Sequence, residues 1–259
     1  MTAPMFKPRL LRETAEIALT EIKRHIEPRL AEEFSLRRVS APLYLPVASG
    51  LNDPGEAVRF TMPSTGEEVE IVRGLDRWLR TQLVRYDIAP GFGVFTVMNA
   101  LRPDLQETAT TSPHLGAWAW QQVVGPDKAG IEYLAAVGKR LYTLLQQTEE
   151  MILERFPHLD RTLPQRFIVM EEAELAARYP DASTLRREYE YLHDHPNRAL
   201  FLIGSGSRSR LSVWNPTVGC PIPLAETAID LSRPVGSIGG NILRDQLAMQ
   251  LLHQPHLLR

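Results

Sequence analysis

Several side chains able to do chemistry stand in stretches that read as loops. Cys220, in Gly219-Cys220-Pro221, would present a thiol nucleophile, although a buried, inert cysteine fits the same residues. The glycine- and serine-rich run 204–210 would hold an anion with its backbone amides and the guanidinium groups of Arg208 and Arg210, or simply form a turn. His114 is a candidate acid–base group. These residues indicate anion binding or acid–base chemistry without deciding between them.

Metal binding has little support in the sequence. His193 and His195 flank Asp194 as a metal pair would, but no further ligands cluster with them, so a polar helix end is the alternative. The single cysteine excludes an intrachain disulfide and a cysteine-rich zinc site. We therefore expect no metal on these residues and a reducing compartment.

Composition limits the partners of the chain. Its 259 residues carry 29 Lys and Arg against 31 Asp and Glu, so the net charge of -2 lacks the positive field that nucleic acid requires. No apolar run approaches the roughly 20 residues that cross a bilayer, and Met1 to Arg12 lacks the apolar stretch of a signal peptide. We expect a single domain over residues 1–259, located in the cytoplasm, with no nucleic-acid or membrane partner.

Hydrophobic spacing predicts the elements that would position these groups. Long helices are predicted over Leu10 to Phe34, where Pro28 should kink or interrupt the helix, and over Gly130 to Phe156. Strands are predicted over 36–45, 59–62, 68–72, 94–101, 115–124, 166–170 and 199–203, with shorter helices over 75–83, 171–178 and 183–191. Loops are expected over 204–210 and 220–223, then a Gly239-Gly240 turn and a last helix, 241–252. The pattern predicts an α/β (α+β) fold with a mixed, mostly antiparallel sheet flanked by helices.

Four segments in a fixed order carry a resemblance to a known family. They are Val39-Ser40-Ala41-Pro42-Leu43, the run 96–104 (TVMNALRPD), Val213-Trp214-Asn215-Pro216 and Ser237-Ile238-Gly239-Gly240. Together they resemble asparagine synthetase A, the ammonia-dependent aspartate–ammonia ligase, which is an offshoot of the class II aminoacyl-tRNA synthetases. The resemblance implies a class II synthetase-like fold and a homodimer whose interface contains Pro42.

The resemblance also implies a reaction. In the family, ATP adenylates the side-chain carboxylate of aspartate and ammonia displaces AMP, with magnesium bridging the phosphates. Arg102 falls on the arginine that grips the α-phosphate, and Asp53 falls on the acidic residue that holds the substrate's α-amino group. A strand-end ion pair for Arg102 and a plain turn for Asp53 are the alternatives. Trp118 is expected in the core or in the pocket wall.

At other family positions the sequence differs. Leu79 and Gly74 stand where the family has a lysine and a serine for the substrate carboxylate, and Ala117 and Ala119 stand where a glutamine and an aspartate face the acyl-transfer site. We therefore expect a changed substrate pocket, entered by an amino-acid-like small molecule.

The nucleotide and metal positions differ as well. Pro223 falls on a metal-binding glutamate, Asp230 on an arginine and Gln246 on the second ATP-binding arginine. Glu226 would supply a carboxylate only if the strand shifted by three residues, which would turn it to the opposite face. The resemblance thus implies ATP and magnesium, but this sequence lacks several of the family residues that bind them.

Three hypotheses follow from the sequence. The first is a diverged enzyme that keeps Arg102 and Asp53 and acts on another carboxylate or amine. The second is a non-catalytic relative that binds a metabolite or a partner protein. The third is chemistry without ATP in the altered cavity, in which Cys220, Glu226 or Asp230 would be the new groups.

Overall fold

The structure is a computed structural model, and it describes residues 10–108, 110–125, 130–204, 208–232 and 236–253. An eight-stranded sheet forms the centre, in the order β1-β5-β6-β11-β10-β9-β8-β7, and a three-stranded sheet, β2-β4-β3, lies beside it. The strands are β1 (Leu36–Arg38), β2 (Tyr44–Pro46), β3 (Arg59–Thr61), β4 (Glu68–Ile71), β5 (Gly93–Leu101), β6 (His114–Val123), β7 (Arg166–Glu171), β8 (Arg198–Ile203), β9 (Arg208–Asn215), β10 (Cys220–Asp230) and β11 (Ser237–Leu243). In the large sheet only the β1–β5 and β7–β8 pairs are parallel. The predicted mixed, mostly antiparallel sheet is confirmed.

Helices flank the large sheet. They are α1 (Arg12–Glu33), α2 (Asp76–Arg85), α3 (Ile131–Arg155), α4 (Glu172–Arg178), α5 (Thr184–Asp194) and α6 (Arg244–Leu252), with a 3₁₀ turn over Val47–Ser49. Pro28 lies inside α1, so of the kink or interruption expected there, the interruption is wrong. In the described part of the chain, no helix has the length and apolar character needed to cross a membrane.

The two faces of the sheet have different characters. One face packs its apolar residues, including the fully buried Trp118 and Trp120, against α1, α3 and α6. On the other face, α2 covers Val94, Met98, Ala117 and Ala119, while α4 and α5 cover the far side, around β7 and β8. Polar residues of β9, β10 and β11 lie between these two covers. We call this polar part of β9, β10 and β11 the open face, and we expect a ligand site there.

The segment predicted as one strand over 36–45 is divided between the two sheets. Residues 36–38 pair with β5, and Tyr44–Pro46 pair with β4. The Ala41-Pro42 pair falls between them, where the backbone crosses from one sheet to the other, because proline cannot donate the hydrogen bond that a continuous strand needs.

The expected loop 220–223 is also a strand. Pro221 and Pro223 pair with β9, while the pairing of β10 with β11 begins only at Ala225. These two prolines therefore lie where β10 has a partner on one side, so their missing N–H groups break no ladder on the other. The expected loop 204–210 is likewise strand from Arg208 onward, and residues 205–207 lie outside the described part.

The glycine pair predicted as a turn lies inside β11. A Cβ atom on Gly239 would stand 2.2 Å from the Gln121 side chain, and one on Gly240 would stand 2.0 Å from the carbonyl oxygen of Glu226. The glycines permit close approach of the neighbouring strands. From the sequence alone, this use of glycine cannot be distinguished from a turn. The last helix consequently starts at Arg244, three residues after its predicted beginning.

Candidate functional site

Two carboxylates, Asp53 and Asp76, meet at the α2 end of the open face. Asp53 follows Asn52, whose buried side chain donates to the carbonyl oxygen of Ile71 at 3.0 Å and accepts from the backbone N–H of Arg73 at 2.8 Å. Asp76 is the first residue of α2. The backbone N–H of Arg77, in the first helical turn, donates to the Asp53 carboxylate. The helix start thus holds one carboxylate and carries the other.

Gly74 leaves the space that Asp53 occupies. A Cβ atom at this position would stand 1.9 Å from an Asp53 carboxylate oxygen, so any side chain here would push the carboxylate away. The serine that the resemblance places at this position is therefore incompatible with the observed Asp53 conformation. The change at Gly74 and the placement of Asp53 belong together.

Burial disturbs the ionisation of both carboxylates, and repulsion adds to the effect at Asp53. Burial, and then the charge of Asp76, raise the pKa of Asp53 from 3.8 to about 6, while Arg102 and Arg77 oppose the shift. Burial also raises the pKa of Asp76, against the opposing charge of Arg80 and a hydrogen bond from the Asn241 side chain. Asp53 therefore titrates close to neutral pH, as groups in functional sites commonly do.

Arg80 ties this corner to the middle of the open face. From the second turn of α2, its guanidinium reaches Asp230 at the end of β10, with Nη1 2.6 Å from Oδ2. Asn241 of β11 hydrogen bonds to Asp76 and has Glu226 as its register partner, whereas Asp230 pairs with Ser237, four residues from Asn241 on the same strand. Since alternate residues of a strand share a face, Glu226 and Asp230 both point to the open face.

Arg102 closes the other side of the carboxylate pair. It follows β5, its Nε donates to the carbonyl oxygen of Arg73 at 3.1 Å, and its charge acts on Asp53 and Asp76. The side chain is partly exposed. The two residues to which the resemblance gave substrate and phosphate roles, Asp53 and Arg102, are thus neighbours in the fold.

Arg208 and Arg210 lie on β9 across the face, opposite Ala228 and Glu226. Arg208 is exposed and its charge also acts on Asp76, so it faces the same region. Arg210 instead forms a short ion pair with Glu188 of α5, which fixes it at the far wall. Arg208, Glu226 and Asp230 therefore stay candidates for the open face, whereas Arg210 is committed to a structural pair.

Three other candidates lie away from the open face. Trp118 is buried in the opposite core and its Nε1 donates to Glu27 of α1 at 3.3 Å. His114 starts β6, and its Nδ1 lies 3.4 Å from Asp245 of α6. Cys220 packs against the opposite core, and burial raises the pKa of its thiol, so the reactive thiolate is disfavoured. Trp118 and Cys220 are therefore away from Asp53 and Arg102. His114 is the register partner of Leu101, next to Arg102 in the chain, but its ring pairs with Asp245 of α6.

Leu79, Ala117 and Ala119 lie in the core beneath this corner. All three are fully buried in the apolar cluster under α2, so they present no charged or polar group to the open face. Among the described residues, no group of three or more His, Cys, Asp and Glu side chains is arranged to hold a metal ion.

Sequence reasoning missed Asp76, Arg80 and Asn241. Asp76 and Arg80 were visible as the polar residues of a predicted helix, but nothing in their spacing told them from a solvated helix face. Asn241 was assigned to a helix and is in fact on a strand. Only the pairing of β10 with β11 and the packing of α2 bring the three together.

Comparison with known proteins decides the family. A family model described as aspartate-ammonia ligase matches residues 13–212 of this chain. The chain belongs to the aspartate–ammonia ligase family. Among curated members, aspartate–ammonia ligases of Bacillus cereus strain B4264 and Bacillus mycoides strain KBAB4 are each 36% identical over 204 residues. The alignments cover 77% of this chain but only 62% of each of these relatives. The family is thus firm, while the similarity reaches less than two thirds of its members' length.

Solved structures agree with this family on the fold. Asparaginyl-tRNA synthetase of Entamoeba histolytica, in complex with asparaginyl-adenylate, superimposes with a TM-score of 0.68 at 11% identity, covering 95% of this chain and 65% of that one. The Pyrococcus horikoshii enzyme complexed with asparaginyl-adenylate gives 0.67 at 9% identity, covering 95% and 67%. The class II synthetase-like fold is confirmed.

Proposed function

We propose that this protein is a diverged ligase of the aspartate–ammonia ligase family that acts on an amino-acid-like carboxylate, with ATP as the activating substrate. Family membership supports the reaction class. The observation that carries the proposal is the meeting of Asp53, Asp76 and Arg102 at one corner of the open face, where acceptors for an ammonium group stand beside a guanidinium.

The positively and negatively charged residues of the site would have different roles in the reaction. Arg102, held at its Nε, keeps the rest of its planar guanidinium for a phosphate and for the negative charge that builds up during adenylation. Arg208 adds positive charge from across the face. Asp53, with its pKa of about 6, is ionised at neutral pH and available to hold an ammonium group. Bound ATP would supply the adenylyl group that activates the substrate carboxylate, with pyrophosphate as the leaving group.

The substrate differs from aspartate in this proposal. The buried Leu79 and the Gly74 that Asp53 fills leave no cation where the resemblance places the anchor for the aspartate carboxylate. Asp230, at a family arginine position, adds a negative charge that Arg80 balances. We infer that ordinary asparagine synthesis is not the main activity.

A calorimetric titration with ATP and magnesium tests the nucleotide role. We expect binding to the parent protein and a loss of at least tenfold in affinity in Arg102→Ala. The matched control is Arg59→Ala, which removes an arginine from β3 whose partner is Glu70, away from the open face. Equal affinity in the parent and in Arg102→Ala would contradict the proposal.

A non-catalytic binding protein is the second candidate. It is favoured by the apolar Ala117 and Ala119 at the acyl-transfer positions and by the commitment of Arg210 to Glu188. A protein of this kind would bind an amine on the open face but would form neither AMP nor pyrophosphate with any acid. Measuring AMP and pyrophosphate formation with a panel of acids separates the two candidates.

We also propose that the protein forms a homodimer, as the family resemblance implies. Leu43 and Tyr44, next to Pro42, are 66% and 39% exposed, and Phe60 on β3 is 41% exposed. Large apolar side chains grouped at one surface favour association. Light scattering should give twice the chain mass for the parent and a smaller mass for Leu43→Asp.

A further inference from the structure

A cavity of about 630 Å³ lies at the ends of β8 and β10, between the start of α3 and α4. We call it the strand-end cavity, and its volume is in the range of small-molecule sites. The buried Leu134, Ile203 and Ile229 form its inner wall, while Glu171 and Leu231 are exposed at its rim. A small molecule can therefore reach an apolar interior from solvent.

The strand-end cavity is separate from the open face. Ile203 and Ile229 belong to the core on the opposite side of the sheet, which packs against α1, α3 and α6. Ile229 precedes Asp230, and successive residues of a strand point to opposite faces. Ile229 is therefore turned away from the ion pair between Arg80 and Asp230. A ligand in this cavity would not occupy the corner of the open face that contains Asp53.

Two carboxylates line the cavity at the start of α4. Glu172 is the first residue of this helix, and its Oε1 accepts a hydrogen bond from the Thr184 hydroxyl at 3.0 Å. Its Oε2 lies beside Gly204, 3.2 Å from the place where a Cβ atom would stand. Among the described residues, Thr184 is the only donor to this carboxylate. Because Glu171 adds a second negative charge, this wall attracts a cationic group.

A guanidinium group lines the cavity from α5. Arg187 donates its Nε to the carbonyl oxygen of Tyr179 at 2.9 Å and its Nη2 to that of Pro180 at 3.2 Å, so the group is held in place. Both acceptors are neutral, and no described carboxylate forms an ion pair with Arg187. The guanidinium is therefore able to bind a carboxylate of a ligand. The start of α3, which no side chain caps at Gly130, borders the same cavity and also favours an anion.

We propose that the strand-end cavity binds an amino acid with a branched apolar side chain, at a second site that is independent of the proposed ligase reaction. The ammonium group of the ligand lies at Glu171 and Glu172, and its carboxylate lies at Arg187. The side chain packs against Leu134 and Ile229. Only a zwitterion with an apolar side chain matches all three walls, because an apolar amine leaves the guanidinium unused and an apolar acid leaves the carboxylates unused.

Methyl NMR of isoleucine-labelled protein tests the site with leucine as the probe. The methyl signals of Ile203 and Ile229 should shift on addition of leucine, whereas those of Ile22 and Ile26 in α1, which do not line the cavity, should not. Glycine, 4-methylpentanoate and 3-methylbutylammonium lack the side chain, the amine and the carboxylate of leucine, respectively. Each should bind at least tenfold more weakly than leucine, as measured by titration of the same signals.

Two variants remove the site in different ways. Ala176 of α4 lines the cavity, so Ala176→Phe would fill it with a phenyl ring, while Glu172→Gln removes one carboxylate at constant size. Leucine affinity should fall at least tenfold in each, and thermal melts will show that both fold. Ala177→Phe and Glu174→Gln are the matched controls, because both residues lie on α4, are exposed and do not line the cavity. Leucine affinity should be unchanged in the controls.

Several results would overturn the site. They are the absence of a shift at Ile203 and Ile229, affinity for any of the three leucine fragments equal to that for leucine, and unchanged affinity in Ala176→Phe or in Glu172→Gln. Loss of leucine binding in Asp53→Asn would also overturn it, because the ligand would then occupy the open face.

The outcomes also separate this site from the proposed function. Leucine binding that depends on Glu172, together with no AMP formation from any acid, would keep the site and remove the ligase. AMP formation without leucine binding would keep the ligase and remove the site.

Discussion

Arg73 and Asp76 lie three residues apart and have opposite hydrogen-bonding situations. The buried Arg73 directs its guanidinium to the carbonyl oxygens of Pro54 and Glu56 and to Asp104, with Nη2 3.1 Å from Oδ2 of that carboxylate. Asp76 keeps a buried oxygen without any donor among the described residues. Polar groups that are fully paired hold the Asp53 loop in place, whereas polar groups left with spare acceptors indicate where a ligand supplies the rest.

Arg73→Ala should have the largest effect on stability. It removes a buried side chain and leaves the carbonyl oxygens of Pro54 and Glu56 without their donor, so we expect a loss of about 2–4 kcal/mol in the free energy of unfolding. Urea denaturation measures it. Arg59→Ala, which removes a half-exposed arginine, should cost less than about 1 kcal/mol. Equal losses in the two variants would mean that the buried, hydrogen-bonded Arg73 stabilises the fold no more than a half-exposed surface arginine does.

Gly74→Ser should disturb the site itself. Its Cβ would collide with the Asp53 carboxylate, so the side chain must move, at a cost of about 1–3 kcal/mol. Gly130→Ser, at the start of α3 where a Cβ meets no atom, should be neutral or slightly stabilising. A Gly74→Ser protein that is as stable as the parent would contradict the coupling of Gly74 to Asp53.

Asp53→Asn should stabilise the protein at neutral pH. Because the folded-state pKa of Asp53 is raised from 3.8 to about 6, the ionised carboxylate costs stability above pH 6, and the cost shrinks as pH falls towards 4. We expect the variant to gain about 1–2 kcal/mol at pH 8 and to lose most of that gain at pH 4.5. Thermal melts at the two pH values measure this. The matched control is Asp87→Asn, which removes an exposed carboxylate just beyond the end of α2. A gain that is independent of pH, or one shared by this control, would contradict the shifted pKa.

Asp230→Asn should have the smallest effect on stability. Arg80 and Asp230 are 25% and 27% exposed, and partly solvated ion pairs contribute little, so the loss should stay within about 1 kcal/mol. A loss as large as that of Arg73→Ala would contradict this expectation. It would mean that the Arg80–Asp230 ion pair stabilises the fold as much as the buried hydrogen bonds of Arg73 do.

Much of the fold was accessible to sequence reasoning, because helices and strands with strong periodicity, such as α3 and β6, keep their pattern in the structure. Errors arose where one residue type serves two purposes. Gly239 and Gly240 signal a turn but permit close packing between strands, and Pro221 and Pro223 signal a loop but lie where β10 has one partner.

The site was predicted only in part, and for a physical reason. Asp53 and Arg102 were found through linear motifs, and the structure places them together. Asp76, Arg80 and Asn241 come from α2 and β11, which are more than 150 residues apart along the chain, and their meeting depends on which face of the sheet α2 covers. Sequence spacing contains no information on that packing.

Formation of AMP and pyrophosphate tests the central claim most directly. The protein would be incubated with ATP, magnesium, ammonium and a panel of amino acids, in parallel with the Arg102→Ala variant. We predict AMP release that depends on an amine-bearing acid, exceeds that with aspartate, and falls at least tenfold in Arg102→Ala. Release that is absent with every acid, or equal in the variant, would contradict the ligase and leave a binding protein on the open face.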